Sequence, residues 1–362
     1  MGRLLLFLIL AAAIVWLIRS MTRARSRDVP STARHRPPIE GSATEPPPAS
    51  LEGPQAGSFD NREVFRKLHQ LALGGTAIAP QPPGHERVIR AVEETLRGDL
   101  SRLKHAPRRP LLLPQLLRAV NDSETSPREL SNLIARDPAL TGSLLQFANS
   151  PLYRMNAQAV ESVDRAVSVL GFDGIRSLIA TALIQPVFRV PGGAFVGYPE
   201  AVWEHTFRSA AAAEAHAAIV ENSDPFAAQL IALVMGLASL IVFRAVLDEY
   251  AIQGGPKPDA GVMAMLLDAH TAHVARKIAD DWELSGRVLA ALEDQVPELG
   301  MNKPASLGRS LRFGRLLGAL SLLQVHGLID EDAAKAEMKA AGASGPHVER
   351  IWARLGNLQG SA

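Results

Sequence analysis

Downstream of residue 110 the apolar positions fall into short blocks, each opened by a helix-capping residue and closed by glycine or proline. Ser126-Pro127-Arg128-Glu129 offers an N-cap serine, a proline at the first helical position and a glutamate for a reciprocal capping box. Asp137-Pro138 repeats the start before ALTGSLLQFA, and Ser150-Pro151 ends that helix. Ser162 opens VDRAVSVL, Gly171 stops it, and Asp173 starts GIRSLIATALI. Upstream, one helix is expected after Asp60 or Asn61, ending at Gly74-Gly75, and another near His85–Lys104. Alternating strand patterns have little support anywhere, so the pattern predicts an all-α protein.

The longest apolar run is LIALVMGLASLIVF, residues 230–243, entered through Asp224-Pro225. Its length suits a buried core helix better than a membrane span. Arg244, Asp248 and Glu249 are expected to return the helix to water within two turns.

A second apolar segment has a different setting. Leu4 to Ile18 carries no charge and lies between Arg3 and Arg19, with Trp16 near one end. As a helix it spans roughly 22 Å, which snorkelling arginines and slight bilayer thinning extend across the hydrocarbon. Ile14, Val15 and Trp16 follow the small residues, against a cleaved signal peptide. Arg19, Arg23, Arg25, Arg27, Arg34 and Arg36 follow the span and place the body on the cytoplasmic side. The expectation is a single-pass anchor over residues 1–20 in the bacterial inner membrane, with Arg19, Arg23, Arg25 and Arg27 as a membrane-proximal basic group. Residues 21–58, with proline runs at 37–38 and 46–48, read as a disordered tether reaching on the order of 35 Å.

Composition narrows the function classes. The 47% apolar content supports a sizeable core, and the scarcity of aromatics, at 5%, points to packing by Leu, Ala and Val. A net charge of +1 supplies no global field for nucleic acid, so no nucleic-acid partner is expected. Cysteine is absent, which removes disulfides, thiolate nucleophiles and cysteine-held metals. No P-loop, nucleophile elbow or H-E-x-x-H pattern occurs, and no serine has an identifiable base. Gly171-Phe172-Asp173-Gly174 matches the GXXG of RNA-binding KH loops in letters only, because it falls at a helix–turn–helix corner.

The segments DPALTGSLLQFANSPLY (137–153) and SVDRAVSVLGFDGIRSLIATALI (162–184) together resemble the HDOD domain of bacterial signalling proteins. The matching positions are Asp137-Pro138-Ala139-Leu140-Thr141, Ala148-Asn149-Ser150, Tyr153, and Ala166 through Leu170-Gly171. Trp203-Glu204-His205-Thr206 and Val274 to Leu284 resemble later landmarks more loosely. The resemblance implies an HD-like helical bundle over 106–300, preceded by a helical region at 59–105 and followed by a C-terminal helical extension at 301–362.

HD enzymes hold metal with a His-Asp doublet in an apolar helix reading L-L-H-D-I-G, and the metal activates water. Laid on that pattern, Leu233 to Ala238 puts Met235 and Gly236 at the doublet's positions. Neither replaces a neutral imidazole and a carboxylate. The resemblance therefore implies a module without catalysis, metal or cofactor, acting on protein partners that the sequence does not name. The alternative is a residual metal-dependent phosphohydrolase or a nucleotide-sensing module.

His205, His216, His270 and His273 are the remaining histidines to weigh as a metal site, and no carboxylate pair accompanies them. His205 is the best candidate for a residual polar site. Asp137, Pro138, Asn149, Ser150, Tyr153 and Gly171 form the candidate interaction motif, with capping and turn-shaping as the other reading of Asp137, Asn149 and Ser150. Arg309, Arg312 and Arg315 recur on a Leu-rich helix. They are read as solvated on a packed helix, or alternatively as a face for a partner or membrane. Lys104, Arg108 and Arg109 form a second local basic group.

Overall fold

The computed structural model describes most of residues 61–356; residues 1–60, 104–114, 150–159, 183–192 and 357–362, with shorter gaps elsewhere, are outside the described set. The expected membrane segment, Arg19, Arg23, Arg25, Arg27, Asp137, Ser150 and Tyr153 all lie outside it. The described residues form helices and connecting turns, with no strand among them.

Local signals fix many of the boundaries. Helix α1 (Arg62–Ala72) starts after Asn61 and ends before Gly74 and Gly75, both at positive φ. Helix α2 (Glu86–Arg97) stops earlier than the expected Lys104, because Gly98 leaves the helix and Lys277 closes its end. Helix α3 (Pro127–Ile134) carries the full capping box between Ser126 and Glu129. Pro138 opens α4 (Pro138–Ala148). In α5 (Val163–Ala182) the chain breaks at Gly171 (φ 64°, ψ −177°), a conformation in which a side chain is strained.

The second half builds the core around two long helices. Helix α6 (Tyr198–Ile219) is followed by α7 (Pro225–Gln253), whose N-terminus is capped by the Asp224 carboxylate accepting from Phe226 and Ala227. Then come α8 (Ala260–Asp281) and α9 (Gly286–Glu293), α10 (Ser306–Val325), α11 (Glu331–Ala340) and α12 (Pro346–Gly356). Helix α7 packs against α6, α8 and α2, while α3 and α4 both pack on α5. The most apolar part of α7 is 89% buried, which makes it a core helix despite a length and composition that fit a membrane span. It also runs further than its fourteen-residue apolar run. Arg244 is buried rather than returning the helix to water, and the helix ends at Gly254 in the left-handed region.

Helix α6 is buried on two sides, which its small residues permit. One side meets α7; the other, with Ala211, Ala212 and Ala215, joins a second apolar cluster with α1, α10, α11 and α12. There α10 approaches closely. A Cβ on Gly314 would sit 2.7 Å from that of Ala213, and one on Gly318 would sit 2.7 Å from the Ser209 nitrogen. Any larger residue at these positions forces the two backbones apart.

Candidate functional site

The clearest enclosed space lies where α1, α6, α7, α8 and α10 meet, a cavity of about 100 Å³. Its floor comes from α7, through Ala232, Met235, Gly236 and Ser239. Met235 and Gly236, the residues expected at the doublet's positions, both line this space. Helix α6 adds Tyr198, His205, Thr206 and Ser209, α8 adds Asp268 and Thr271, and α10 adds Arg315. Helix α1 closes the cavity with Phe65, Leu68, His69 and Ala72, spaced on one face of the helix.

Gly236 brings α7 unusually near α6. A Cβ built on it would sit 2.5 Å from Thr206 Cγ2 and 2.9 Å from Thr206 Cβ. The Thr206 hydroxyl is itself committed, donating to Val202 O at 2.7 Å. An aspartate at 236 therefore has no room without separating the helices.

His205 is tied down by its surroundings. Its Nε2 lies 3.0 Å from Arg315 O and 3.1 Å from Ser209 Oγ, so the nitrogen that faces α10 is already engaged. Burial pushes this imidazole down to about 4, against the raising effect of the Arg315 carbonyl. His205 is thus neutral at neutral pH. Phe65 stands edge-on to it, with ring centroids 6.4 Å apart. Nearby, Tyr198 is fully buried, shares a 2.7 Å hydrogen bond with Ser239 Oγ and stacks on Phe243. Burial raises its phenol above the usual range.

His69 and Asp268 face each other across the entrance, Nδ1 to Oδ1 at 3.7 Å. That distance is too long for a hydrogen bond, and the buried Nδ1 has no hydrogen-bond partner. Burial also lowers the His69 pKa, with Asp268 working in the opposite direction. Neither residue stood out in the sequence. The available signal for His69 was a histidine on the apolar face of α1, in register with Phe65, Leu68 and Ala72.

These residues do not fit a metal. Among the described residues no group of three His, Asp or Glu side chains is placed to hold one. His216, His270 and His273 are elsewhere. His216 bonds Ser310 Oγ at 3.1 Å and stacks on Phe313, and burial pushes it to about 4. His273 and His270 lie on α8, outside the cavity lining.

The described motif residues, Pro138, Asn149 and Gly171, do not line the cavity. Asn149 staples the end of α4 to the returning chain: its Nδ2 donates to Leu145 O and Val160 O, each at 2.8 Å, and its Oδ1 accepts from Val160 N at 2.7 Å. The three arginines of α10 are partly buried and each meets another part of the protein, although the Arg309 side chain keeps 42% exposure. Arg309 Nε donates to Glu221 at 2.8 Å, Arg312 bonds the Asp294 carbonyl, and Arg315 lies 5.1 Å over the Phe65 ring. The i, i+3 spacing was visible in the sequence. Their partners come from just beyond the ends of α6 and α9 and from α1, which it did not show.

Comparison with solved structures gives fold likeness. A protein from Shewanella amazonensis SB2B, provisionally named a phosphohydrolase, aligns at 19% identity with a TM-score of 0.50, over 75% of this chain and 95% of its own. A second from that organism, provisionally named a metal-dependent phosphohydrolase, aligns at 14% identity and TM-score 0.47, over 76% and 98%. A protein from Marinobacter aquaeolei VT8, provisionally named for signal transduction, aligns at 19% identity and TM-score 0.47, over 83% and 64%. No curated protein matches the chain. The HDOD domain model matches residues 106–296, more than half of the sequence, and spans α6, α7 and α8 of the cavity but not α1 or α10. The chain belongs to the HDOD domain family.

Proposed function

We propose that this protein is a signal-transduction module without catalytic activity, tethered to the bacterial inner membrane by residues 4–18 and acting through protein–protein contacts of its HDOD domain. The observation that carries the reading is the contact between Gly236 and Thr206. At the position where an HD enzyme needs a carboxylate, this chain has a glycine whose absent side chain is what lets α6 and α7 approach. Met235 beside it offers only a thioether, a poor ligand for the hard cations of hydrolysis. The signalling role is supported by membership of the family, and the tether would keep the body at high effective concentration near membrane partners.

The test has two arms on the full-length chain in detergent. Metal content is measured, and turnover is assayed on nucleoside monophosphates and cyclic dinucleotides. No turnover and no stoichiometric metal are expected. Bound metal with turnover that His205→Ala abolishes would establish the rival, a residual phosphohydrolase. The second arm is crosslinking from membranes with and without residues 1–20; loss of specific partners on removal of the anchor is expected, and an absence of specific partners in both forms sinks the scaffold reading.

A further inference from the structure

We propose that the cavity beneath α1 is a binding site for a small oxyanion, either free or as the phosphoryl end of a larger ligand, held by Arg315. The inference rests on reading the site as non-catalytic, so that the anion is bound and not hydrolysed.

Arg315 projects from α10 into the cavity lining, and its guanidinium lies over the Phe65 face. Among the described residues no carboxylate comes within ion-pairing distance of it, and Asp268 acts on it only from further away. Its neighbours on the same helix are treated differently: Arg309 has Glu221, and Arg312 has the Asp294 carbonyl. Arg315 is only partly buried and holds its charge against the Phe65 face, so its planar fork of donors is left to suit a tetrahedral oxyanion.

One further unpartnered polar atom faces the cavity. His69 presents a buried Nδ1 that lacks a hydrogen bond, while the lining hydroxyls of Thr271 and Ser239 are already engaged with Leu267 O and Tyr198 Oη. A volume of about 100 Å³ is well above the roughly 10–15 Å³ that admits one water, yet too small for a whole nucleotide. A larger ligand reaches the site only by its phosphoryl end, with α1 displaced. Arg315 and His69 both lie outside the matched residues 106–296, so the site belongs to this chain's flanking helices. Asp268 is the one opposing charge at the entrance.

The experiment is titration of the full-length chain in detergent with inorganic phosphate, followed by calorimetry and ³¹P line broadening, at constant ionic strength and with EDTA throughout. Saturable binding is expected, weakened about tenfold to a hundredfold by Arg315→Met, in line with loss of a charge-assisted bond. Asp268→Asn should tighten it severalfold, and this variant keeps the test open if Arg315→Met misfolds. A parallel titration with AMP separates the sources. Tighter binding than phosphate, with the same dependence on Arg315, identifies a phosphomonoester; phosphate alone binding identifies a free anion. Absence of saturable binding, or affinity unchanged in both variants, overturns the proposal. Such failure leaves the non-catalytic reading intact, because that one is decided by metal content and turnover.

Discussion

Gly236 on α7 and Thr206 on α6 are in contact across the floor of the cavity, and the glycine's missing side chain is filled by the threonine. A Cβ at 236 would lie 2.9 Å from Thr206 Cβ and closer still to its methyl. Thr206 cannot swing away cheaply, because it is buried and its hydroxyl is bonded to Val202 O. This pair sets the spacing of the two central helices, and under the proposed reading it stands where HD chemistry would need a carboxylate.

Gly236→Ala is expected to destabilise the protein by about 1–3 kcal/mol, the usual cost of overfilling a packed core. In a Thr206→Ala background the cost should fall, since Cγ2 and Oγ1 are gone and only the 2.9 Å Cβ contact remains. Urea unfolding of the two single variants and the double variant measures the coupling. Strict additivity would show that the helices have no such contact. The reinstated doublet, Met235→His with Gly236→Asp, should be still less stable and should gain neither metal nor turnover.

How much of this was legible in the sequence depended on whether a feature is local. The Ser126–Glu129 box, the Asp224 cap and the break at Gly171 each act within a few residues, and each was readable. Met235 and Gly236 were readable only as departures from a pattern. That Gly236 meets Thr206, thirty positions upstream, requires knowing how α6 lies on α7. The α10 arginines show the same limit. Amphipathic spacing suggested a solvated basic stripe, but Glu221, Asp294 and Phe65 come from three other parts of the chain. His69 and Asp268 are 199 positions apart in the sequence, with no local pattern to pair them.

Lys277 gives α2 its end. Its Nζ donates to Leu96 O, Arg97 O and Gly98 O at 2.8, 2.7 and 3.0 Å, satisfying carbonyls that the helix terminus leaves open. It also opposes the negative end of the helix dipole. Lys277→Met keeps the stem and removes the donors, so a loss of about 1–2 kcal/mol is expected. Hydrogen exchange should rise over the last turn of α2 while α6 and α10 stay protected. Uniform loss of protection would mean that the lysine supports the whole core.

Helix α10 lies beyond the matched family domain yet is packed into the core. Removing everything after Val296 takes away the surfaces that cover Ala211, Ala212 and Ala215 on α6 and the close contacts of Gly314 and Gly318. The truncated chain is expected to aggregate when expressed, because a large apolar face is uncovered. A soluble product with a cooperative thermal transition would show that residues 297–362 are an appendage.

Two buried histidines make stability depend on pH in a defined direction. Burial holds His205 and His216 at about 4, whereas an unfolded histidine titrates near 6.5. Between those values the unfolded chain binds more protons than the native one, so stability falls as pH drops from about 6.5 toward 4 and these groups contribute no further change below that. His216, only 9% exposed, accounts for on the order of 3 kcal/mol over the full range, and His205 acts in the same direction. Urea midpoints at pH 7.5, 6.5, 5.8 and 5.0 isolate the histidines, since most carboxylates titrate lower. His216→Gln should flatten the profile while raising or lowering it as a whole through the lost stacking on Phe313. A slope in that variant equal to the parent's would assign the pH dependence to other groups.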